Sequence, residues 1–208
     1  MTERIAKFMA RSGVCSRRQA EELIKQKRVT VNGELIESPA YNVEGTETIL
    51  LDGEKLPQIQ QTRLWLYHKP VGLLTTHKDN QNRPTVFDAL PPEMPRVISV
   101  GRLDLNSEGL LLLTNNGELA RQLELPQNAW SRRYKVRVHG FVDKKKLADL
   151  AKGTVVDGVQ YGPVQAELES QNGTNSWLIV TLSEGKNREV REVPQKVLRE
   201  QLGSKFAL

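Results

Sequence analysis

The residues best suited to chemistry in this 208-residue chain stand in Gly101-Arg102-Leu103-Asp104, with Ser107-Glu108-Gly109 close behind. Apolar runs flank the segment, Val97-Ile98-Ser99-Val100 before it and Leu110-Leu111-Leu112-Leu113 after it. A carboxylate at the mouth of two apolar strands is poorly explained by folding needs, the alternative being a loop aspartate that caps a turn. Ionised, it is a nucleophile or a general base. The equipment of several other chemistries is missing. Gly101 lacks the companions of a phosphate-cradling glycine loop. No carboxylate pair for two-metal work surrounds Asp104, and no G-x-S-x-G elbow occurs. Cys15 is the single cysteine, which excludes an internal disulfide. The three histidines, His68, His77 and His139, are scattered and give no zinc-ligand spacing. The expected metal content is none, and so is the expected cofactor content.

A second group of candidates is basic. The formal net charge is +5, and all of it resides in residues 1–31, where eight basic side chains face three acidic ones. A basic module on a neutral body points to an anionic polymer as partner, with a merely solvated surface as the alternative. Arg17 and Arg18 follow Ser16 at the start of a predicted helix, where the macrodipole disfavours cations. Beside free backbone N–H groups they suit a phosphate. The competing reading has both side chains simply extending into water. No apolar run approaches the ~20 residues of a membrane span, and the charged N-terminus lacks a signal-peptide core. The expected compartment is the cytoplasm.

These residues need elements to hold them. Ile5, Phe8 and Met9 predict a short helix closed by Ser12-Gly13. Ser16 with Gln19 reads as a capping box starting a second helix, with Ala20, Leu23 and Ile24 on its apolar face. Strands are expected at Val29-Thr30-Val31, at Glu34-Leu35-Ile36 across an Asn32-Gly33 turn, and from Thr48 to Leu51, ending at Asp52-Gly53. That makes a module over residues 1–53, and Glu54 to Thr62 reads as a linker. The body, 63–208, opens with a strand at Arg63 to Tyr67. A turn at Lys69-Pro70-Val71-Gly72 follows, then an extended stretch from Leu73 to Thr76 and a polar loop from His77 to Arg83. Strands at 97–100 and 110–114 bracket Asp104, and Leu119 and Leu123 mark a short helix. Further on, Tyr134 to Gly140 alternates as a half-buried strand. Asp143 caps a helix reaching Lys152, with Leu147, Leu150 and Ala151 inward. Val155-Val156, Val164 to Leu168 and Trp177 to Leu182 complete the strands. The fold class is α+β, a small N-terminal α/β domain followed by a body on a mostly antiparallel mixed sheet with flanking helices.

Residues 3–52 resemble the small RNA-binding domain named after ribosomal protein S-four, through Ser16-Arg17-Arg18-Gln19-Ala20 and Val29-Thr30-Val31-Asn32-Gly33. The body resembles the pseudouridine synthases of the RsuA/RluB type, the branch acting on ribosomal RNA. The segments that carry the likeness are Lys69-Pro70-Val71-Gly72, then Gly101-Arg102-Leu103-Asp104 with Ser107-Glu108-Gly109-Leu110-Leu111. Tyr134 after Arg132-Arg133 follows, and the last is Glu184-Gly185-Lys186-Asn187-Arg188-Glu189-Val190-Arg191.

The resemblance implies isomerisation of a uridine in place, with no cofactor or metal. Asp104 would be the essential aspartate and Arg191 its cationic partner, with Arg188 the second choice. Tyr134 would pack against the target base, and Arg102 would enter the space left by the flipped nucleotide. RNA contacts are expected from Lys7, Arg17, Arg18, Lys69, Lys186 and Arg188, with a structural role as the alternative for Lys69. The implied partner is ribosomal RNA, of the large subunit by overall resemblance, met as free RNA or as an assembly intermediate. The protein would act as a monomer away from membranes. Past Arg191 the chain reads Glu192-Val193-Pro194, and residues 192–208 depart from the family's closing helix and strand. The competing reading is therefore a catalytically impaired or non-catalytic RNA-binding or ribosome-assembly protein on the same fold.

Overall fold

Two short helices and a handful of two- and three-residue strands occupy the first 55 residues. The computed structural model describes residues 2–140, 142–156 and 158–183. The chain divides into two compact units, Met1–Glu124 and Leu125–Leu208.

Unit one begins with β1 (Glu3–Arg4), α1 (Ile5–Arg11) and α2 (Arg17–Lys25). The capping box at α2 is present in full: the Gln19 N–H donates to Ser16 Oγ and the Ser16 N–H donates to Gln19 Oε1. Two backbone N–H groups at the helix start are thereby engaged in the reciprocal pattern. Next come β2 (Val29–Val31), β3 (Glu34–Leu35), β4 (Asn42–Val43), β5 (Ile49–Leu51) and β6 (Glu54–Lys55). A four-stranded antiparallel sheet runs in the order β3-β2-β5-β6, and β1 pairs with β4. Asn32 and Gly33 both have positive φ, the geometry of the tight hairpin turn predicted for them. Ile5, Ala6, Met9, Ala20, Ile24, Val29, Val31 and Val43 form a closed core. Burying one of the larger aliphatic side chains among them stabilises by roughly 1.5–3 kcal/mol.

Two features differ from the sequence expectation. The β1–β4 pair was not foreseen, since two residues carry no periodicity. Asp52-Gly53 is a hairpin turn rather than a terminus, so β6 and the buried Leu56 extend the N-terminal sheet and core into the stretch read as linker.

Unit one continues with β7 (Leu64–Lys69), β8 (Ile98–Val100), β9 (Gly109–Thr114) and α3 (Gly117–Glu124). The strands form an antiparallel sheet in the order β7-β9-β8. Its inward face packs Leu111 and Leu113 with Val86 and Val97, flanked by Trp65, Tyr67 and Leu103. Leu73 to Thr76 is not a strand. Only Leu74 bridges, to Thr85, and in parallel.

Unit two contains β10 (Arg132–His139), α4 (Lys144–Asp149), β11 (Thr154–Val156), β12 (Val159–Tyr161), β13 (Gln165–Asn172) and β14 (Asn175–Leu182). The sheet order is β10-β14-β13, again antiparallel, and β11 and β12 form a separate hairpin. Val136, Val138, Leu147, Leu150, Leu178 and Val180 make its core. Asp143 caps α4 through the Lys145 N–H, as expected. A 3-10 turn over Leu150–Lys152 replaces the last helical turn, and it leaves Ala151 exposed rather than inward.

Candidate active site

Asp104 lies in the loop joining β8 to β9, antiparallel neighbours in the same sheet. The loop leaves β8 at Gly101, whose φ of +71° is a conformation that a residue with a side chain rarely adopts. Its backbone is then held from several sides. The Gly101 N–H donates to Glu124 Oε1 at 2.6 Å. Thr75 Oγ1 donates to the Leu103 carbonyl at 2.8 Å and accepts from the Leu103 N–H at 3.4 Å. The Gly72 N–H donates to the Leu105 carbonyl at 2.8 Å. The Ser107 N–H donates to the Asp104 carbonyl at 3.0 Å, closing a turn.

The deepest hold is Lys69. It ends β7 opposite Gly109, fully buried, and sends its ammonium under the loop. Nζ donates to the carbonyls of Asp104 at 3.0 Å, Ser107 at 2.8 Å and Pro70 at 3.0 Å. An ammonium has three donors, and all three are engaged. Burial pushes the Lys69 ammonium down from the ordinary lysine range, and the Asp104 charge opposes that shift. Of the two roles expected for Lys69 the structure gives it the structural one. A side chain with no exposed surface and no spare donor cannot reach an RNA phosphate.

Below the loop, then, the backbone is fixed. Above it, Arg102 and Asp104 are exposed, while Leu103 between them packs on the core. Among the described residues the Asp104 carboxylate has no hydrogen-bond partner and no salt bridge. A carboxylate presented this way on a fixed backbone is available to a substrate.

The other expected site residues are distributed as follows. Arg17 and Arg18 occupy the first turn of α2 and are exposed. Lys7, on α1, is ion-paired with Glu118 and lies 3.7 Å from Glu3. Tyr134 stands on β10 in unit two, opposite Val180 and half-buried against that unit's core. Lys186, Arg188 and Arg191 lie outside the described residues. Sequence reasoning missed Thr75 and Glu124. Glu124 had a readable signal: a carboxylate at the last position of a helix opposes the macrodipole there, and a partner elsewhere is the usual compensation. Thr75 had none, because a threonine in an apolar run is common.

Comparison with known proteins places this loop in a family setting. The family model for RNA pseudouridylate synthase matches residues 63–196, and that for the S4 domain matches residues 3–49. An uncharacterised RNA pseudouridine synthase of Rickettsia felis is 50% identical over 209 residues, covering 97% of this chain and 90% of the relative. The ribosomal large subunit pseudouridine synthase B of Salmonella typhi is 42% identical over 204 residues, covering 95% of this chain and 70% of its own length. A crystal structure of a pseudouridylate synthase superposes with a TM-score of 0.63 at 26% identity, over 98% of this chain and 85% of that one.

Proposed function

The chain belongs to the RNA pseudouridylate synthase family, and on that premise we propose that it converts one uridine of ribosomal RNA, in the large subunit, to pseudouridine. Likeness to the Salmonella large-subunit enzyme supports that choice of substrate. In this isomerisation the C1′–N1 bond breaks, the uracil rotates, and a C1′–C5 bond forms. N1 gains a proton and C5 loses one, so no atom is lost overall. Asp104 is the catalytic carboxylate, acting in its ionised form as nucleophile or base. The single observation that carries this assignment is the loop geometry: a solvent-facing carboxylate on a backbone held by Lys69, Thr75 and Glu124. Such positioning keeps a reacting group at the attack geometry without cost at the moment of reaction.

The remaining roles follow the family likeness. Tyr134 stacks on the flipped uracil, which recovers on the order of 1–3 kcal/mol of lost stacking. Arg102 fills the vacated place in the RNA. Arg191, with Arg188 as the second choice, holds the carboxylate charged. Lys186 and Arg188 also contact the RNA backbone. Arg17 and Arg18 of the S4 domain grip the RNA.

Incubation with unmodified ribosomal RNA, followed by carbodiimide mapping of pseudouridine, tests the reading. Wild type is expected to give one new stop in large-subunit RNA. Asp104→Asn is expected to lose it, with RNA affinity within about threefold of wild type, since truncating catalytic charge leaves uniform binding intact. Equal stops from wild type and variant would remove Asp104 from catalysis. A stop in small-subunit RNA alone would overturn the choice of subunit.

A further inference from the structure

Unit one contains a second concentration of functional side chains, on the side of the S4 domain. A cavity of about 560 Å3 opens between α1 and the start of α2 on one wall, and the segment before β8 and α3 on the other. Its lining includes Lys7, Arg11, Arg17, Arg96 and Arg121, with Glu118 as the acid among them. Glu118 pairs with Lys7, Glu3 pairs with Arg11, and Glu21 lies 3.8 Å from Arg17. Arg96 and Arg121 have neither a salt bridge nor a hydrogen bond among the described residues. Arg96 is moreover half-buried. A half-buried guanidinium without an acid costs free energy that folding alone does not recover.

The Arg96 charge also reaches a neighbouring imidazole. His77 lines the cavity and stacks on Phe87, with ring centroids 3.5 Å apart. Burial, and then the Arg96 charge, push its imidazole below the ordinary histidine range. Like charges converging in a concave, partly dry space focus a field that attracts an anion. The volume falls within the range of ligand clefts. Arg96 also has a particular address: it directly precedes Val97 and β8, the strand that delivers Gly101 and Asp104.

We propose that this cleft is a phosphodiester site, holding a stretch of RNA backbone between the S4 domain and the body through Arg17, Arg96 and Arg121. The inference rests on the RNA-modifying reading above and adds to it a site not made by the S4 domain alone. An RNA strand held here is fixed at once to the start of α2 and to β8, which leads to Asp104. The distance along the RNA from the bound phosphate to the target uridine is then set by the protein.

The test uses full-length protein and a fragment of large-subunit ribosomal RNA that it binds. Affinity is measured across salt concentrations for wild type, Arg121→Gln, and Arg96→Gln with Arg121→Gln. Each phosphate that no longer meets a guanidinium is expected to lower the slope of log affinity against log salt by about 0.7–0.9, so the double variant should show roughly twice that decrease. Affinity at moderate salt should fall by about tenfold or more. Arg121 is exposed, so its single variant folds independently of any cost at Arg96. A further readout needs no variant: the His77 imidazole, followed by NMR, should titrate at higher pH when RNA is bound, since a phosphate beside Arg96 offsets its charge. Wild-type slopes in both variants would overturn the proposal. So would a His77 titration unmoved by RNA, or one moved by inorganic phosphate but not by RNA. If instead the wild type makes no pseudouridine, the functional reading fails, whatever the slopes show.

Discussion

Under the Asp104 loop, Lys69 is fully buried and directs all three donors to backbone carbonyls. In the cleft beside the S4 domain, Arg96 and Arg121 stand without an acid among the described residues. Both regions are organised by positive charge, but with opposite consequences. A cation saturated by carbonyls of its own chain fixes a shape and has nothing left for a ligand. A cation without a partner in its own chain fixes no shape and keeps its donors for an anion from outside. Positioning and recruitment thus lie in different parts of unit one. Residue type did not separate them, since each is simply a basic side chain in the sequence. The supply of acceptors did.

The largest effect expected on this contrast comes from Lys69→Met. It takes the ammonium from the carbonyls of Pro70, Asp104 and Ser107; the Asp104 carbonyl keeps the Ser107 N–H, and each acceptor left unsatisfied costs about 1–3 kcal/mol. Relief of the desolvated charge offsets part of that, so a net loss of about 2–4 kcal/mol in stability is expected from denaturant unfolding. A misplaced loop lowers kcat by about a hundredfold. The salt slope of RNA binding should not change, because Lys69 offers the RNA no charge. A reduced slope would break the division between positioning and recruitment.

A milder version is Thr75→Val, which keeps the shape and removes the hydroxyl shared with Leu103. About 1 kcal/mol of stability should go, with kcat down by about fivefold and KM unchanged. If KM rose and kcat held, Thr75 would belong to binding rather than to the support of Asp104.

Sequence periodicity and turn chemistry located α1, α2, the Asn32-Gly33 hairpin and the strands β8 and β9 around Asp104. They did so because each is specified within a few residues by spacing or by a cap. The pairing of β1 with β4 was not legible, since register between two-residue strands is set by the core beneath them. Lys69 illustrates the same limit at the site. Its position before Pro70 could be read, but its three acceptors come from Pro70 and from residues 35 and 38 positions further on. The cleft was hidden for a related reason: Arg96 and Arg121 become neighbours of Arg17 only when the body folds against the S4 helices.

The smallest effect sharpens the contrast most finely. Ser16 begins α2, and its Oγ accepts from the Gln19 N–H at 3.2 Å. Ser16→Ala removes that bond but leaves every charge in place. A lost N-cap costs about 1 kcal/mol, which should appear as a lower denaturant midpoint at unchanged m-value. Arg17 is the next residue, so fraying of the first turn spreads its guanidinium over more orientations. RNA affinity should fall by about two- to threefold, roughly the Boltzmann weight of a few tenths of a kcal/mol. The number of phosphates neutralised is unaltered, so the salt slope should match that of wild type. Geometry and charge thereby separate at a single helix start: the cap variant moves the intercept of the salt plot, the arginine variants move its slope, and a cap variant that moved the slope would mean that the cleft holds its phosphate only while α2 is intact to its first turn.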